Sequence, residues 1–112
     1  MSQSRSDEFV RFVRSRPPSV QRLMREWPPL AVVRAREGVV LLVPAPGVEG
    51  TVQSYFEDGS LGVVAPATIP HPVHGWGDAE PGQMLKATVR PDQLEFVREG
   101  EWTRVAVEDA CK

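Results

Sequence analysis

The stretch Val48-Glu49-Gly50-Thr51-Val52-Gln53-Ser54-Tyr55-Phe56-Glu57-Asp58-Gly59-Ser60-Leu61-Gly62-Val63-Val64-Ala65 decides the fold class. Apolar and polar residues alternate on both sides of Asp58-Gly59, a dipeptide favoured in two-residue type I′ turns. Closing a hairpin there pairs Phe56 with Leu61, Ser54 with Val63 and Val52 with Ala65. Val52, Phe56, Leu61, Val63 and Ala65 then share one face, and Thr51 and Gln53 take the other. A one-residue slip would turn the apolar set toward solvent, so this register is strongly specified.

The same period of two continues on either side. Leu30 to Arg36 and Val39 to Val43 read as strands around Glu37-Gly38, the second closed by Pro44-Ala45-Pro46-Gly47. Leu85, Ala87 and Val89 alternate with Lys86, Thr88 and Arg90 in another strand, which Pro91-Asp92-Gln93 breaks with a single tight turn. A last hairpin about Glu99-Gly100 pairs Val97 with Trp102, Glu95 with Arg104 and Arg98 with Glu101. Two opposite-charge pairs arise together in that register. From Glu108 the chain is expected to fray. Residues 66–82 hold Pro66, Pro70, Pro72, Pro81, Gly75, Gly77 and Gly82, the signature of a long surface loop.

Toward the N-terminus the period becomes helical. Ser6 reads as an N-cap with Asp7 and Glu8 in the first turn. Phe9, Val10, Phe12 and Val13 fall on one side, opposite Arg11 and Arg14, until Pro17-Pro18 stops the helix. Ser19 is a second plausible cap. After it Val20, Leu23, Met24 and Trp27 follow the i, i+3, i+4, i+7 template up to Pro28-Pro29. Helices this short need a surface on which to dock their apolar faces, either the chain's own sheet or a partner.

Composition agrees with a small, tightly turned β unit. The 112 residues suffice for one domain, and nine Gly with eleven Pro exceed ordinary usage, which suits repeated turns rather than a helical bundle. The expected architecture is mainly β with N-terminal helices. A helical arm spans 1–29, a bent barrel of five to seven strands spans 30–107, and a flexible tail spans 108–112. Pro46-Gly47-Val48-Glu49-Gly50-Thr51-Val52, with Tyr55-Phe56-Glu57-Asp58-Gly59 and Leu61-Gly62-Val63, resembles the turn-and-valine run of bacterial SH3-like barrels. Val89-Arg90-Pro91-Asp92-Gln93-Leu94-Glu95-Phe96 is similar to the short 3₁₀ element before their last strand. The resemblance covers roughly residues 30–98. It implies a protein-docking module, a ribosomal or transcription-factor RNA binder, or a small accessory subunit, and so leaves the function open.

Charge is unevenly spread. The formal net charge is −2, yet residues 1–36 carry eight Arg against three acids, and residues 37–112 carry five bases against twelve acids. A basic arm therefore precedes an acidic body. Arg11, Arg14, Arg22 and Arg25 lie opposite the apolar stripes, where guanidinium groups meet phosphates, acidic protein surfaces, solvent or the body's own acids. The pI of about 5.7 is far below the value above 9 usual for an isolated nucleic-acid-binding domain, which puts RNA or DNA second to a protein partner. Trp76, between Gly75 and Gly77 in the long loop, is either a contact residue or a plug at one end of the barrel. Tyr55, on the polar face, adds to a partner groove, whereas Trp27 and Trp102 belong to the core or the helix–barrel junction.

Other chemistries find little purchase. His71-Pro72-Val73-His74 lacks a third ligand at a characteristic spacing, so no metal and no cofactor are expected. A single Cys, Cys111, excludes an internal disulfide and has no positioned base. Gly59-Ser60-Leu61-Gly62 is turn chemistry rather than a nucleophile elbow, and neither P-loop nor dinucleotide glycine patterns occur. The longest apolar run, Val39 to Val43, is far short of the ~20 residues of a membrane span. The Arg-rich first thirty residues do not read as a secretory leader, and a cytoplasmic location is expected. The sequence thus points to a non-catalytic interaction module or accessory subunit of a larger protein assembly, without membrane contact. An RNA- or DNA-binding module is the alternative, and weak self-association through residues 9–27 is a third.

Overall fold

Five antiparallel strands form one sheet in the order β6-β3-β2-β1-β7. They are β1 (Val32–Ala35), β2 (Gly50–Tyr55), β3 (Leu61–Pro66), β6 (Met84–Val89) and β7 (Leu94–Arg98). Two short strands, β4 (His71–Val73) and β5 (Gly77–Ala79), pair with each other. Three helices complete the chain: α1 (Ser2–Arg14), α2 (Pro18–Glu26) and α3 (Arg104–Cys111), with a 3₁₀ turn over Pro91–Gln93. These elements come from a computed structural model that describes residues 2–41, 43–67, 71–73, 77–79 and 82–111, the backbone alone for 2–6, 71–73 and 77–79.

The central hairpin forms, but through a different turn. Asp58 Oδ1 accepts hydrogen bonds from Ser60 N at 2.9 Å and Ser60 Oγ at 2.6 Å, and Gly59 alone takes a left-handed conformation at φ +93°. Phe56 N donates to Ser60 O and Gly59 N to Phe56 O, each at 3.0 Å, which makes a three-residue loop in place of the two-residue turn. Tyr55 consequently faces Leu61, and Phe56 is left 38% exposed instead of joining the core. A bulge between Val52 and Ser54 then shifts the register once more, so that Val52 faces Val63 and both are fully buried. The expected pairs Phe56–Leu61, Ser54–Val63 and Val52–Ala65 are therefore corrected. The two local shifts offset each other in which face Val52 presents.

On the other side β3 pairs with β6 without irregularity, Leu61 to Val89 and Val63 to Ala87, as the alternation of residues 85–90 requires. β1 pairs with β2 and β7, and Arg34 lies opposite Glu95. Leu23, Val33, Val52, Leu61, Val63 and Leu94 make up most of the sheet core, with Trp27, Tyr55 and Phe96 packed against it.

The C-terminal region differs most from expectation. Residues 104–111 form α3 rather than the second arm of a hairpin, and β7 pairs with β1 instead. Glu95 bonds Arg34 and Arg98 bonds Glu49, in place of the expected partners Arg104 and Glu101. Thr103 supplies the helix start, its Oγ1 accepting from Ala106 N at 3.2 Å. Val107 and Ala110 are buried, so the segment from Glu108 is a docked helix and not a frayed tail. α3 packs on both α1 and α2, and Val13, Val20, Met24, Val107 and Ala110 make a second small core.

Four further expectations change. α1 begins near Ser2, which places Ser6, Asp7 and Glu8 inside the helix and not at its cap. Pro17, not Ser19, occupies the N-cap of α2, and Pro18 sits at its first position. The described residues of 39–43 form no strand. The 66–82 segment carries β4 and β5 where a structureless loop was expected. The architecture is therefore mixed α/β, an open five-stranded antiparallel sheet with helices at both ends of the chain. No helix among the described residues is long and apolar enough to cross a membrane.

One crossing fixes how the ends meet the sheet. Leu30 has φ +64°, a left-handed conformation that costs a branched residue about 1 kcal/mol. It is held by Leu30 N to Val52 O at 2.9 Å and Val52 N to Ala31 O at 3.0 Å. Gly100 lies against this bend: a Cβ there would run into the Leu30 carbonyl and come within 2.8 Å of Ala31 N. Gly100→Ala must therefore displace backbone on one side. We expect a loss of at least about 2 kcal/mol in urea unfolding, whereas Gly38→Ala, with open space around it, costs only its own φ strain.

Candidate functional site

The β2 bulge sorts three consecutive side chains. Tyr55 turns inward, half-buried, and its hydroxyl donates to the Trp27 carbonyl at 2.6 Å. Burial pushes the phenol far above its ordinary range. Its ring packs against both the sheet core and the helical core. Ser54, opposite Gly62, faces outward. Lys86 Nζ donates to Ser54 Oγ at 2.6 Å, reaching across Gly62, where a Cβ would stand 2.9 Å from both Lys86 Cε and Ser54 Cβ.

The end of α1 closes over this bulge. Phe12 and Arg14 flank the fully buried Val13, about 100° to either side on the helix. Arg14 Nε donates to Ala110 O at 2.9 Å, bringing a cation to the C-terminal turn of α3, and Phe12 is left 47% exposed. Ser15 Oγ donates to Phe12 O at 2.7 Å, and Arg16 Nε and Nη2 donate to Ser15 Oγ at 3.3 Å each. The Arg16 guanidinium thereby sits 5.1 Å from the Phe12 ring centroid. Together Phe12, Arg16, Pro29, Gln53, Ser54 and Tyr55 line a cleft of about 350 Å³ between helix and sheet. Phe12, Tyr55 and Pro29 make its apolar walls, Gln53 and Ser54 are neutral, and among the described residues its ionised lining group is the Arg16 cation.

The residues singled out in the sequence separate in space. Arg11 is exposed and, with Asp7, Val10 and Arg14, borders a shallow depression on α1. Arg14 is exposed, on the side assigned to it, and its Nε also reaches the Ala110 carbonyl of α3. Arg22 is exposed and Arg25 half-buried on α2. Tyr55 is a packing residue whose edge reaches the cleft, which corrects its placement on the polar face. Trp76 and His74 lie outside the described residues. Trp27 joins the sheet core and Trp102 stacks on Phe9 with centroids 3.9 Å apart, as expected for junction residues. Cys111 is free and packs against the helical core.

Reading by sequence missed Phe12, Arg16, Pro29, Gln53 and Ser54. The one legible signal was Phe12 at the margin of its apolar stripe, followed by Arg16 one turn later, a pair that meets along a helix.

Arginines on the sheet are occupied. Arg34 pairs with Glu95 at 3.0 Å, Arg98 with Glu49 at 3.0 Å, Arg90 with Asp92 at 3.3 Å and, at the sheet–helix junction, Arg104 with Glu99 at 2.7 Å. Hydrogen bonds from Arg98 and Arg34 hold the Glu49 and Glu95 carboxyls below the usual carboxylate range. By contrast Arg11, Arg16, Arg22 and Arg25 have no carboxylate partner among the described residues. Comparison with family models, curated proteins and solved structures finds no match to this chain.

Two outcomes follow from this geometry. Tyr55→Phe deletes one buried hydrogen bond and orphans the Trp27 carbonyl, costing about 1–2 kcal/mol in urea unfolding, whereas Phe12→Ala, half-exposed, costs under about 1 kcal/mol. Glu49, Glu95 and Asp58 all have lowered carboxyl pKa values in the folded chain, so their contribution is present above the ordinary carboxyl value. It is lost as pH falls through and below that value. The urea midpoint should decline from about pH 5 toward pH 3, less steeply in the Glu49→Gln, Glu95→Gln double variant.

Proposed function

We propose that this chain is a non-catalytic docking module, an accessory subunit that binds an acidic surface of a larger protein. The observation that carries this reading is the division of its arginines. Arg34, Arg98 and Arg104 are matched to the chain's own carboxylates, whereas Arg11, Arg16, Arg22 and Arg25, on α1, α2 and the turn between them, have no carboxylate partner among the described residues. Intramolecular pairing of the helical arginines with the acidic body was one alternative, and the sheet carboxylates Glu49 and Glu95 already serve Arg98 and Arg34. Unpaired guanidinium groups on a folded surface steer and orient an anionic partner. The SH3-like reading of the sheet is supported by the antiparallel order β6-β3-β2-β1-β7 and by the 3₁₀ turn directly before β7. Barrel closure, a cytoplasmic setting and the absence of a cofactor belong to the same proposal.

RNA or DNA phosphates would also suit these arginines, and one experiment separates the two partners. The tagged chain is used to recover partners from its native lysate, half of it nuclease-treated. The docking reading expects one protein in near-stoichiometric amount from both halves, reduced several-fold by Arg11→Glu with Arg22→Glu. Recovery of nucleic acid, with proteins lost on nuclease treatment and binding that falls steeply with salt, would overturn it.

A further inference from the structure

We propose that the cleft between α1 and β2 is the specificity pocket of this module, and that it takes an aromatic or aliphatic side chain flanked by carboxylates on a short acidic segment of the partner. The inference rests on the docking reading and adds a place and a chemistry to it.

Three features of the cleft select that occupant. Phe12 is 47% exposed although its neighbour Val13 is fully buried, so an aromatic face stands at the cleft with only Arg16 over it among the described residues. Pro29 and the edge of Tyr55 extend the apolar wall, and about 350 Å³ accommodates one side chain and its immediate neighbours. The polar groups are cationic or neutral. Arg16 is held over Phe12 by its two contacts with Ser15 Oγ, and Lys86 Nζ, beyond the lining itself, bonds the lining residue Ser54 through its Oγ. Among the described residues no carboxylate lines the cleft. An apolar group entering it places flanking carboxylates beside Arg16 on one side and Lys86 on the other, in complementary charge.

The cleft is also set up before binding. Ser15 Oγ to Phe12 O fixes the end of α1, Gln21 Nε2 to Arg16 O at 2.8 Å fixes the turn after it, and Tyr55 is anchored to Trp27. A pocket built this way orders little on binding, which favours recognition of a short, extended segment. Its size argues against a nucleic-acid strand, whose binding surfaces track a backbone over ~4 nucleotides or more. The acidic body of the chain opposes a long polyanion further.

The test uses the full chain and fluorescein-labelled nonapeptide pools with a central Phe, Trp or Leu. One pool is flanked by Asp and Glu, a second by Lys and Arg, and an oligothymidylate serves as the third probe. The acidic pool should bind by fluorescence anisotropy at least tenfold more tightly than the basic pool and the oligonucleotide. Phe12→Ala and Arg16→Glu should each weaken it at least tenfold, while Arg36→Glu, exposed and outside the cleft, changes it less than threefold. Circular dichroism and thermal melts of the variants establish that they fold. The inference is overturned if the acidic pool does not bind, if the oligonucleotide binds more tightly, or if folded Phe12 and Arg16 variants bind as the wild type does. Its failure is distinct from failure of the docking reading. If the lysate partner is captured equally by wild type and by both cleft variants, the module docks through another surface.

Discussion

The inward turn of Tyr55 is the constraint on which the remaining packing depends. The three-residue loop at Asp58-Gly59 shifts the hairpin register by one, which places Tyr55, not Phe56, opposite Leu61. A bulge two residues earlier returns Val52 to the core. Only this pair of irregularities lets one strand present Val52 and Tyr55 on the same side, at odd sequence spacing. The ring then reaches beyond the sheet into the helical core, and its hydroxyl holds the carbonyl at the end of α2. A phenol suits this place because its apolar body fills space shared by two cores and its polar tip satisfies a backbone group that would otherwise be left unpaired.

The helical layer is closed by the chain's two ends rather than by the N-terminal segment alone. α1 and α2 bury their stripes against α3, and two arginines tie the three together. Arg14 of α1 donates to the end of α3, and Arg104 of α3 donates to Glu26 O, the last residue of α2, at 3.0 Å. Arg104 also lies 4.2 Å from the centroid of Phe96 on β7, so the same side chain connects helix to sheet. Partly exposed contacts of this kind are individually modest. Their value lies in orientation: each lies at a helix C-terminus, where a cation meets unpaired carbonyls.

How much of this was legible follows from which signals are local. The strands at 32–35, 50–55, 61–66 and 84–89, the 3₁₀ turn and the apolar face of α2 were all readable, because period-two alternation and i, i+3, i+4 spacing are properties of adjacent residues. The loop type was not. Asp58-Gly59 satisfies a type I′ turn and equally the three-residue loop, and the Asp58 carboxylate settles the matter by capping Ser60. The residues after Glu99-Gly100 read as a hairpin arm because that register pairs opposite charges, and those from Glu108 as a frayed tail; their helix is set by the Thr103 cap and by docking on α1 and α2. The site was the least legible part. Phe12 was read on the apolar side, opposite Arg14, and the structure leaves both exposed with Val13 buried between them, a placement set by docking on α3.

That last dependence links the fold to the candidate site. If α3 were absent, Val13, Val20 and Met24 would lose the surface that covers them, and Phe12 would be the natural residue to rotate in and shield them. With α3 in place the inward positions are filled, Arg14 is drawn to its carbonyl, and Phe12 must stand at the surface beside Arg16. The bulge acts in the same sense from the sheet side: by sending Tyr55 inward it turns Ser54, to which Lys86 is bonded, toward the same cleft. An aromatic side chain left half in water is a cost to the isolated chain, modest because Arg16 covers part of its face. Both irregularities that depart from the simplest reading of the sequence converge on this one surface, which is where physical reasoning expects a protein to place a binding site.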